Sequence, residues 1–239
     1  MVRLKNEENN SKNLHKEFTV HTRGGLKING YHDINFDLGK GEFLSLYGPS
    51  GLGKSSVLKA LYRTYTTTSG EILFNYDDGT SLNIATALES EILNLRKEHL
   101  GYVSQFLQVL PRISAVDIVA QPLIEKGESQ TTAQEKAKEM LSFLNIKEEL
   151  FAISPLTFSG GEQQRVNIAK GIIAPKSVLL LDEPTASLDM TNTNKVIDKL
   201  LEIKKQGVTM IGIFHDMDCM KRISDKIYDM KEKRYADNY

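Results

Sequence analysis

The segment Gly48-Pro49-Ser50-Gly51-Leu52-Gly53-Lys54-Ser55, with Ser56 behind it, sets three glycines, a lysine and several hydroxyls between an apolar run and a helical pattern. Phe43-Leu44-Ser45-Leu46-Tyr47 reads as a buried strand, and Ser56-Val57-Leu58-Lys59-Ala60-Leu61 reads as the body of a helix. At such a strand-to-helix turn, glycines at 48, 51 and 53 reach backbone conformations closed to other residues, so successive N–H groups can converge on phosphate oxygens. Lys54 brings a cation for the β- and γ-phosphates of a nucleotide, and the Ser55 hydroxyl is a ligand for Mg²⁺.

A second group of acids fits the first. Val178-Leu179-Leu180-Leu181 is a continuous apolar strand that delivers Asp182 and Glu183 at its carboxyl end, where parallel α/β sheets bind their ligands. There Asp182 would hold the Mg²⁺ and Glu183 would polarise water for in-line attack on the γ-phosphate. Ser159-Gly160-Gly161-Glu162-Gln163 begins a further helix whose free N–H groups can receive an anion, with Val166, Ala169 and Ile173 as its apolar face. A plain helix cap is the alternative reading of that element.

Those residues need a scaffold, and its type is written in the patterning. In residues 33–38, Ile34, Phe36 and Leu38 alternate with Asp33, Asn35 and Asp37, as in a half-exposed antiparallel strand, with turns at Gly24-Gly25 and Gly39-Lys40-Gly41. Glu71-Ile72-Leu73-Phe74-Asn75-Tyr76 before Asp77-Asp78-Gly79 predicts another strand and turn, so an antiparallel layer beside the phosphate loop is expected. Leu88, Ile92 and Leu95 recur at helical spacing before the strand Leu100-Gly101-Tyr102-Val103-Ser104. Residues 105–174 read as an inserted helical subdomain. In it Thr132-Ala133-Gln134-Glu135 has a capping-box pattern, followed by Ala133, Ala137, Met140, Leu141 and Leu144 on one face. Val196, Leu200 and Ile203 mark a helix ending near Gly207, and residues 208–214 the next strand. Strand, helix and strand with buried runs predict a mostly parallel sheet flanked by helices, an α/β fold of P-loop NTPase type. The expected division of the single domain is a core of residues 1–104 with 175–239, and the helical subdomain of 105–174. The polar stretches 7–13 and 231–239 are expected to be solvated.

Composition excludes several classes. The chain has 239 residues, and 30 Lys+Arg against 31 Asp+Glu gives no reason to expect a nucleic-acid partner. The single cysteine, Cys219, leaves no internal disulfide and no multi-cysteine metal site, and is expected to be a packed thiol in a cytoplasmic protein. No apolar run approaches the roughly 20 residues needed to span a bilayer, and Met1-Val2-Arg3-Leu4-Lys5 opens no secretion signal, so no direct membrane insertion is expected.

With both glycine-bearing helix starts and the Asp-Glu pair in this order, the chain resembles an ATP-binding cassette (ABC) ATPase over residues 14–222. The resemblance implies ATP and Mg²⁺ as ligands and a head-to-tail dimer with a second ABC subunit, a copy or a related ATPase. In that dimer Ser159, Gly160, Gly161 and Glu162 of one subunit close over the γ-phosphate held by Gly48 to Ser56 of the other. It implies further that Gln105 touches Mg²⁺ and the attacking water, that Ser187-Leu188-Asp189 couples the protomers, and that His215 contacts the γ-phosphate. Phe18 aligns with the aromatic that stacks on adenine, with a core aromatic as the alternative. Leu52 is bulkier than is usual at its loop position, although its side chain can point away from the phosphates.

Residues outside the site resemble one branch of the family. Val103-Ser104-Gln105-Phe106-Leu107, Pro111-Arg112-Ile113-Ser114-Ala115, Gln121-Pro122-Leu123 and Thr157-Phe158-Ser159 through Ala169 are similar to the L subunit of the bacterial carbon-phosphorus lyase system. That implies a non-transport ATPase working with the lyase core in phosphonate catabolism, without doing the carbon-phosphorus chemistry itself. The alternative is the ATP-binding subunit of a membrane ABC transporter, docking near residues 105–122. A stand-alone ATPase on nucleic acid is disfavoured by the balanced charge.

Overall fold

The computed structural model describes residues 2–5, 14–20, 26–108 and 111–236. The amino-terminal part is β1 (Val2–Lys5), β2 (Leu14–Val20), β3 (Leu26–Ile34), β4 (Asp37–Leu38), β5 (Phe43–Tyr47), α1 (Lys54–Leu61), β6 (Glu71–Asn75), β7 (Ser81–Asn83), α2 (Glu89–Glu98) and β8 (Leu100–Val103). Three helices follow, α3 (Ala115–Glu125), α4 (Gln130–Phe143) and α5 (Gly160–Ile172). The chain then runs through β9 (Val178–Asp182), α6 (Met190–Lys205), β10 (Thr209–Ile213), α7 (Met217–Ile223), β11 (Lys226–Asp229) and β12 (Arg234–Tyr235).

The central sheet has the order β12-β11-β5-β10-β9-β8, parallel except for β12. Its central strands β5, β9 and β10 are buried on both faces, so successive residues serve opposite cores. Leu179, Leu181, Met210 and Phe43 pack with α3, α4, α5 and α6, whereas Leu180, Val178, Ile211, Leu44 and Leu46 pack with α1, α2 and the antiparallel strands. That is why these strands read as unbroken apolar runs. The antiparallel layer, in the order β4-β1-β6-β7, and the β2-β3 ribbon lie at the amino-terminal side of the chain, as the alternation led one to expect.

Details differ from the sequence reading. The alternating burial of Ile34, Phe36 and Leu38 holds, but the strand is interrupted between β3 and β4. Leu88 is the exposed N-cap of α2 rather than part of its apolar face. Helix α4 starts one turn before Thr132: Ser129 is the N-cap, its Oγ accepting from Thr132 N at 3.2 Å, because an equally good capping residue comes first. Helix α3 was not separately anticipated; Pro122 lies inside it, and Ser114 caps it. The carboxyl-terminal stretch is not wholly solvated, since β12 pairs with β11 and the Tyr235 hydroxyl donates to Asp37 O at 2.7 Å while accepting from Asp37 N at 2.8 Å. The expectations for 7–13, 24–25 and 237–239 lie outside the described residues. Cys219 is buried in the core, and burial pushes its thiol up to about 11, so it is the packed group expected.

Two contacts fix α5, which carries the second glycine-bearing turn. At its start Ser159 accepts from Glu162 N at 3.4 Å, and Ser159 N and Oγ donate to Glu162 Oε2 at 2.9 and 2.6 Å, a full capping box. These bonds hold the Glu162 carboxyl below its usual range, the Ser159 hydroxyl contributing most. Near its end Gly171 faces β8 so closely that an added Cβ would sit 2.3 Å from Val103 Cγ2. Gly171→Ala should therefore destabilise the fold by about 1–3 kcal/mol through overpacking, and Gly171→Ala with Val103→Ala should recover part of that loss in thermal melts. Ser159→Ala should cost about 1 kcal/mol at pH 7. Because the folded Glu162 carboxyl is depressed, its share of that stability is present above the unfolded value of 4.5 and is lost as pH falls through the folded one. Chemical denaturation at pH 7 and pH 3 should show the gap between parent and variant narrowing in acid.

Candidate functional site

Four segments meet at the carboxyl ends of four neighbouring strands. In register, Leu46 of β5 lies beside Ile213 of β10, Ile213 beside Asp182 of β9, and Leu181 of β9 beside Val103 of β8. The residues one or two places beyond these are Gly48, His215, Glu183 and Gln105. Parallel pairing thus turns four distant stretches of sequence into one line of polar groups.

The loop after β5 has the conformation its glycines allow. Gly48, Gly51 and Gly53 have φ of 140°, 87° and 85°. Gly53 is obligatory for a second reason: a Cβ there would meet Gly30 O at 1.8 Å, since the loop is pressed against β3. Leu52 is accommodated by packing into the core on the α1 side of the sheet, with its Cδ1 3.1 Å from where a Cβ on Gly48 would be. Its side chain is thereby spent on packing within the loop. Pro49, Ser50 and Gly51 are exposed, and Ser56 lies in the first turn of α1. Lys54 is 7% exposed, and its Nζ donates to Gly48 O and, at 2.9 Å, to Pro49 O. Burial lowers the Lys54 pKa, while the carboxylates of Glu183 and Asp182 oppose the shift.

Asp182 is buried, and both oxygens are engaged: Oδ1 accepts from Ser55 Oγ at 2.8 Å and Oδ2 from the Tyr102 hydroxyl at 2.8 Å. Ser55 and Asp182 form a hard oxygen pair of the kind that suits Mg²⁺, which keeps several waters and takes its remaining ligands from phosphates. Among the described residues no group of three His, Cys, Asp or Glu side chains forms a self-sufficient metal cage. The donor set therefore fits an ion that arrives with a nucleotide.

Glu183 is gripped from two sides. Gln105 Nε2 donates to Oε2 at 2.8 Å, and His215 Nε2 lies 2.8 Å from Oε1, as donor because an ionised carboxylate only accepts. Its backbone sits at φ 53°, in the left-handed region, at a cost of about 1–3 kcal/mol. The buried Gln164 stabilises that turn by donating from Nε2 to Glu183 O at 3.3 Å and Pro184 O at 3.2 Å. Asn167, one turn further along α5, donates to Ser104 O at 2.6 Å and so anchors the loop carrying Gln105. The sequence reading assigned no role to Gln164, Asn167 or Tyr102. Two polar residues three apart on the apolar face of α5 were the available signal for the first two.

The structure brings together Lys54, Ser55, Asp182, Glu183, Gln105 and His215, and leaves Ser159, Gly160, Gly161 and Glu162 elsewhere. Among the described residues no hydrogen bond joins 159–162 to 48–56. Ser159 and Gly160 are exposed, and Gly161 abuts the following loop instead, 3.0 Å separating Ser187 O from the place of its Cβ. Asp189, of Ser187-Leu188-Asp189, caps α6 by accepting from Asn192 N at 2.8 Å. Phe18 lies in β2, paired with Ile28; its side chain lies outside the described residues.

Comparison with known proteins gives the family. The model of the ABC transporter family matches residues 31–186, from β3 to the turn after Glu183. A dimeric post-hydrolysis structure of the ATP-binding cassette MJ0796 bound to ADP and Pi is similar at 27% identity and TM-score 0.83, over 99% of this chain and 97% of that one. A dimeric structure of MJ0796, described as a bacterial ABC transporter cassette, matches at 28% identity and TM-score 0.82, over 96% and 94%. Among the described residues no helix is long and apolar enough to cross a membrane. The family model spans 48–56, 159–162 and 182–183, and the solved cassettes match along nearly the whole chain; the chain belongs to the ABC transporter family of ATP-binding cassettes.

Proposed function

We propose that this chain hydrolyses ATP at composite sites formed by two ABC subunits. The observation that carries the proposal is that two glycine-bearing helix starts lie apart in one chain: among the described residues 48–56 and 159–162 share no hydrogen bond, and Ser50, Gly51, Ser159 and Gly160 are exposed. A second subunit in head-to-tail orientation would supply the missing half, and both solved relatives are dimers.

In this reading Gly48 to Ser56 cradle the phosphates and Lys54 neutralises the β- and γ-oxygens. Phe18 stacks on adenine. Ser55 and Asp182 hold Mg²⁺, with Gln105 beside them, and the ion when bound neutralises charge developing on the phosphates. Glu183 accepts the proton of the attacking water; each of its oxygens has a lone pair beyond those given to Gln105 and His215. His215 and Gln105 fix its orientation. Ser159, Gly160 and Gly161 of the partner, with Glu162 holding their turn, bring N–H donors to the γ-phosphate, where preorganised donors stabilise the transition state.

Glu183→Gln should retain ATP binding, lose turnover by about 10²- to 10⁴-fold as expected when a general base is removed, and accumulate as an ATP-bound dimer in light scattering. A variant that stays monomeric with ATP bound at every concentration would remove the composite site. Ser159→Arg should bind ATP as a monomer and fail to turn it over; parental hydrolysis by that variant would do the same.

The work done by the ATPase is read from residues around the site. We infer an accessory role in the carbon-phosphorus lyase system of phosphonate catabolism, supported by the similarity of 103–107, 111–115, 121–123 and 157–169 to its L subunit. The second reading, a subunit that drives a membrane transporter, is favoured by an open groove of about 1370 Å³ lined by Gln105, Phe106 and Pro122, where Phe106 is 73% exposed. Affinity purification of the tagged chain from cells grown on a phosphonate as sole phosphorus source should bring down lyase core subunits. Recovery of an integral membrane permease instead would establish the second reading and remove the first.

A further inference from the structure

Tyr102 occupies a position with no role in the site as read so far, yet its hydroxyl is one of only two groups hydrogen-bonded to the Asp182 carboxylate among the described residues. It is the next-to-last residue of β8, paired with Leu180, so the parallel register carries its phenol along the sheet to the end of β9. The ring is held as firmly as the strand. It stacks on Tyr62 at a centroid distance of 5.1 Å and an interplanar angle of 30°. Arg96 of α2 lies over the Tyr62 ring at 4.6 Å and donates from Nε to Tyr62 O at 2.9 Å. Arg96, Tyr62 and Tyr102 thus form a stack running from α2 to the acid, along one wall of the groove that Ser55 and Asp182 also line.

The two bonds on Asp182 are unlike. Ser55 follows the phosphate loop, and when its oxygen turns a lone pair toward a cation, its proton must have an acceptor; Asp182 Oδ1 at 2.8 Å is that acceptor. Tyr102 is bound to Oδ2 from the far side and contacts neither the loop nor Lys54 by any hydrogen bond among the described residues. Its bond can therefore set the rotation of the carboxylate independently of Ser55. Without it Asp182 would keep a single anchor, the hydroxyl that itself must reorient toward the ion. Withdrawal of some charge by the phenol works the other way. Partners that orient a metal-binding group usually outweigh such effects, their loss costing about 10- to 100-fold in metal affinity.

We propose that Tyr102 is a positioning residue for the metal half of the nucleotide site, its hydroxyl fixing the Asp182 carboxylate against Ser55 so that Mg²⁺ is received with the nucleotide. The inference rests on the reading of Ser55 and Asp182 as the Mg²⁺-holding pair. It also makes the α2 stack, rather than the phosphate loop alone, responsible for the geometry of the acid.

The test compares the parent, Tyr102→Phe and Tyr62→Phe, the last keeping the ring stack and removing a hydroxyl that does not touch Asp182. For each, Mg²⁺ is titrated at fixed ADP and the melting temperature is followed, with binding of a fluorescent ADP in EDTA as the metal-free reference. Tyr102→Phe should raise the Mg²⁺ midpoint about tenfold, leave metal-free ADP binding within about twofold, and leave the metal-free melting temperature close to the parent's, while Tyr62→Phe matches the parent throughout. A parental Mg²⁺ midpoint in Tyr102→Phe overturns the inference. So does an equal rise in Tyr62→Phe, which would show that loss of a hydroxyl not bound to Asp182 has the same effect, or a fall in melting temperature of the same size with and without the ion, which would make the hydroxyl part of the fold. A parent whose ADP complex ignores Mg²⁺ altogether would instead remove the underlying assignment of Ser55 and Asp182.

Discussion

Parallel pairing of β5, β10, β9 and β8 is the constraint from which the site follows. A parallel ladder aligns the carboxyl ends of its strands on one edge of the sheet, and the register here is tight enough to set Leu46, Ile213 and Asp182 side by side. The polar residues that come next have little choice of neighbour. Gly48, His215, Glu183 and Gln105 are separated by tens to more than a hundred positions in sequence, yet each is delivered within two residues of the end of its strand. A slip of one residue in β9 would send Leu179 and Leu181 to the wrong core and move Asp182 away from Ser55 together, so the apolar packing on both faces also protects the chemistry.

Strain is concentrated where that edge is most crowded. Glu183 takes a left-handed backbone, and Ser187, four residues on, does so too with φ 64°. Such conformations persist only where their surroundings over-determine them. Here the surroundings are the α5 face: Gln164 holds the carbonyls of Glu183 and Pro184, and Asn167 holds Ser104. One helix therefore grips the acid turn and the glutamine loop at once, and the same helix begins with the capped Ser159 turn. Any displacement of that turn on meeting a partner would act on both. Gly171, pressed on Val103, is the point about which the helix is packed against β8.

The two adjacent acids of the site are held in different ways. Asp182 is deeply buried, with two neutral hydroxyl donors fixing its oxygens, whereas Glu183 is held by an amide and by a half-exposed imidazole. A buried, doubly anchored carboxylate suits an unchanging electrostatic task. A carboxylate at the edge of solvent, with lone pairs to spare, suits proton acceptance. The contrast is one of environment, since the two acids are adjacent on the same strand end.

Much of this was legible beforehand because it depends on local rules. The loop at 48–56, the strand ending in Asp182-Glu183 and the capped glycine turn at 159–162 each carry their signal within a few residues, and the buried strands betrayed the parallel sheet by their unbroken apolar runs. The boundary that was misplaced, at Thr132, lies where Ser129 just before it was an equally good cap, and Leu88 kept helical spacing while sitting exposed at a helix start, choices that local sequence leaves open. Pairing of Val2–Lys5 into the antiparallel layer and of Arg234–Tyr235 onto β11 joins ends of the chain to strands far away in sequence. Only tertiary structure could decide those, and for the same reason only it could bring Tyr102 to Asp182, Gln164 to the Glu183 turn and Gly53 against Gly30. The residue types determined which chemistry was available; the register of the sheet and the seat of α5 determined which groups reach one another, because hydrogen-bond distance is a property of space and not of spacing along the chain.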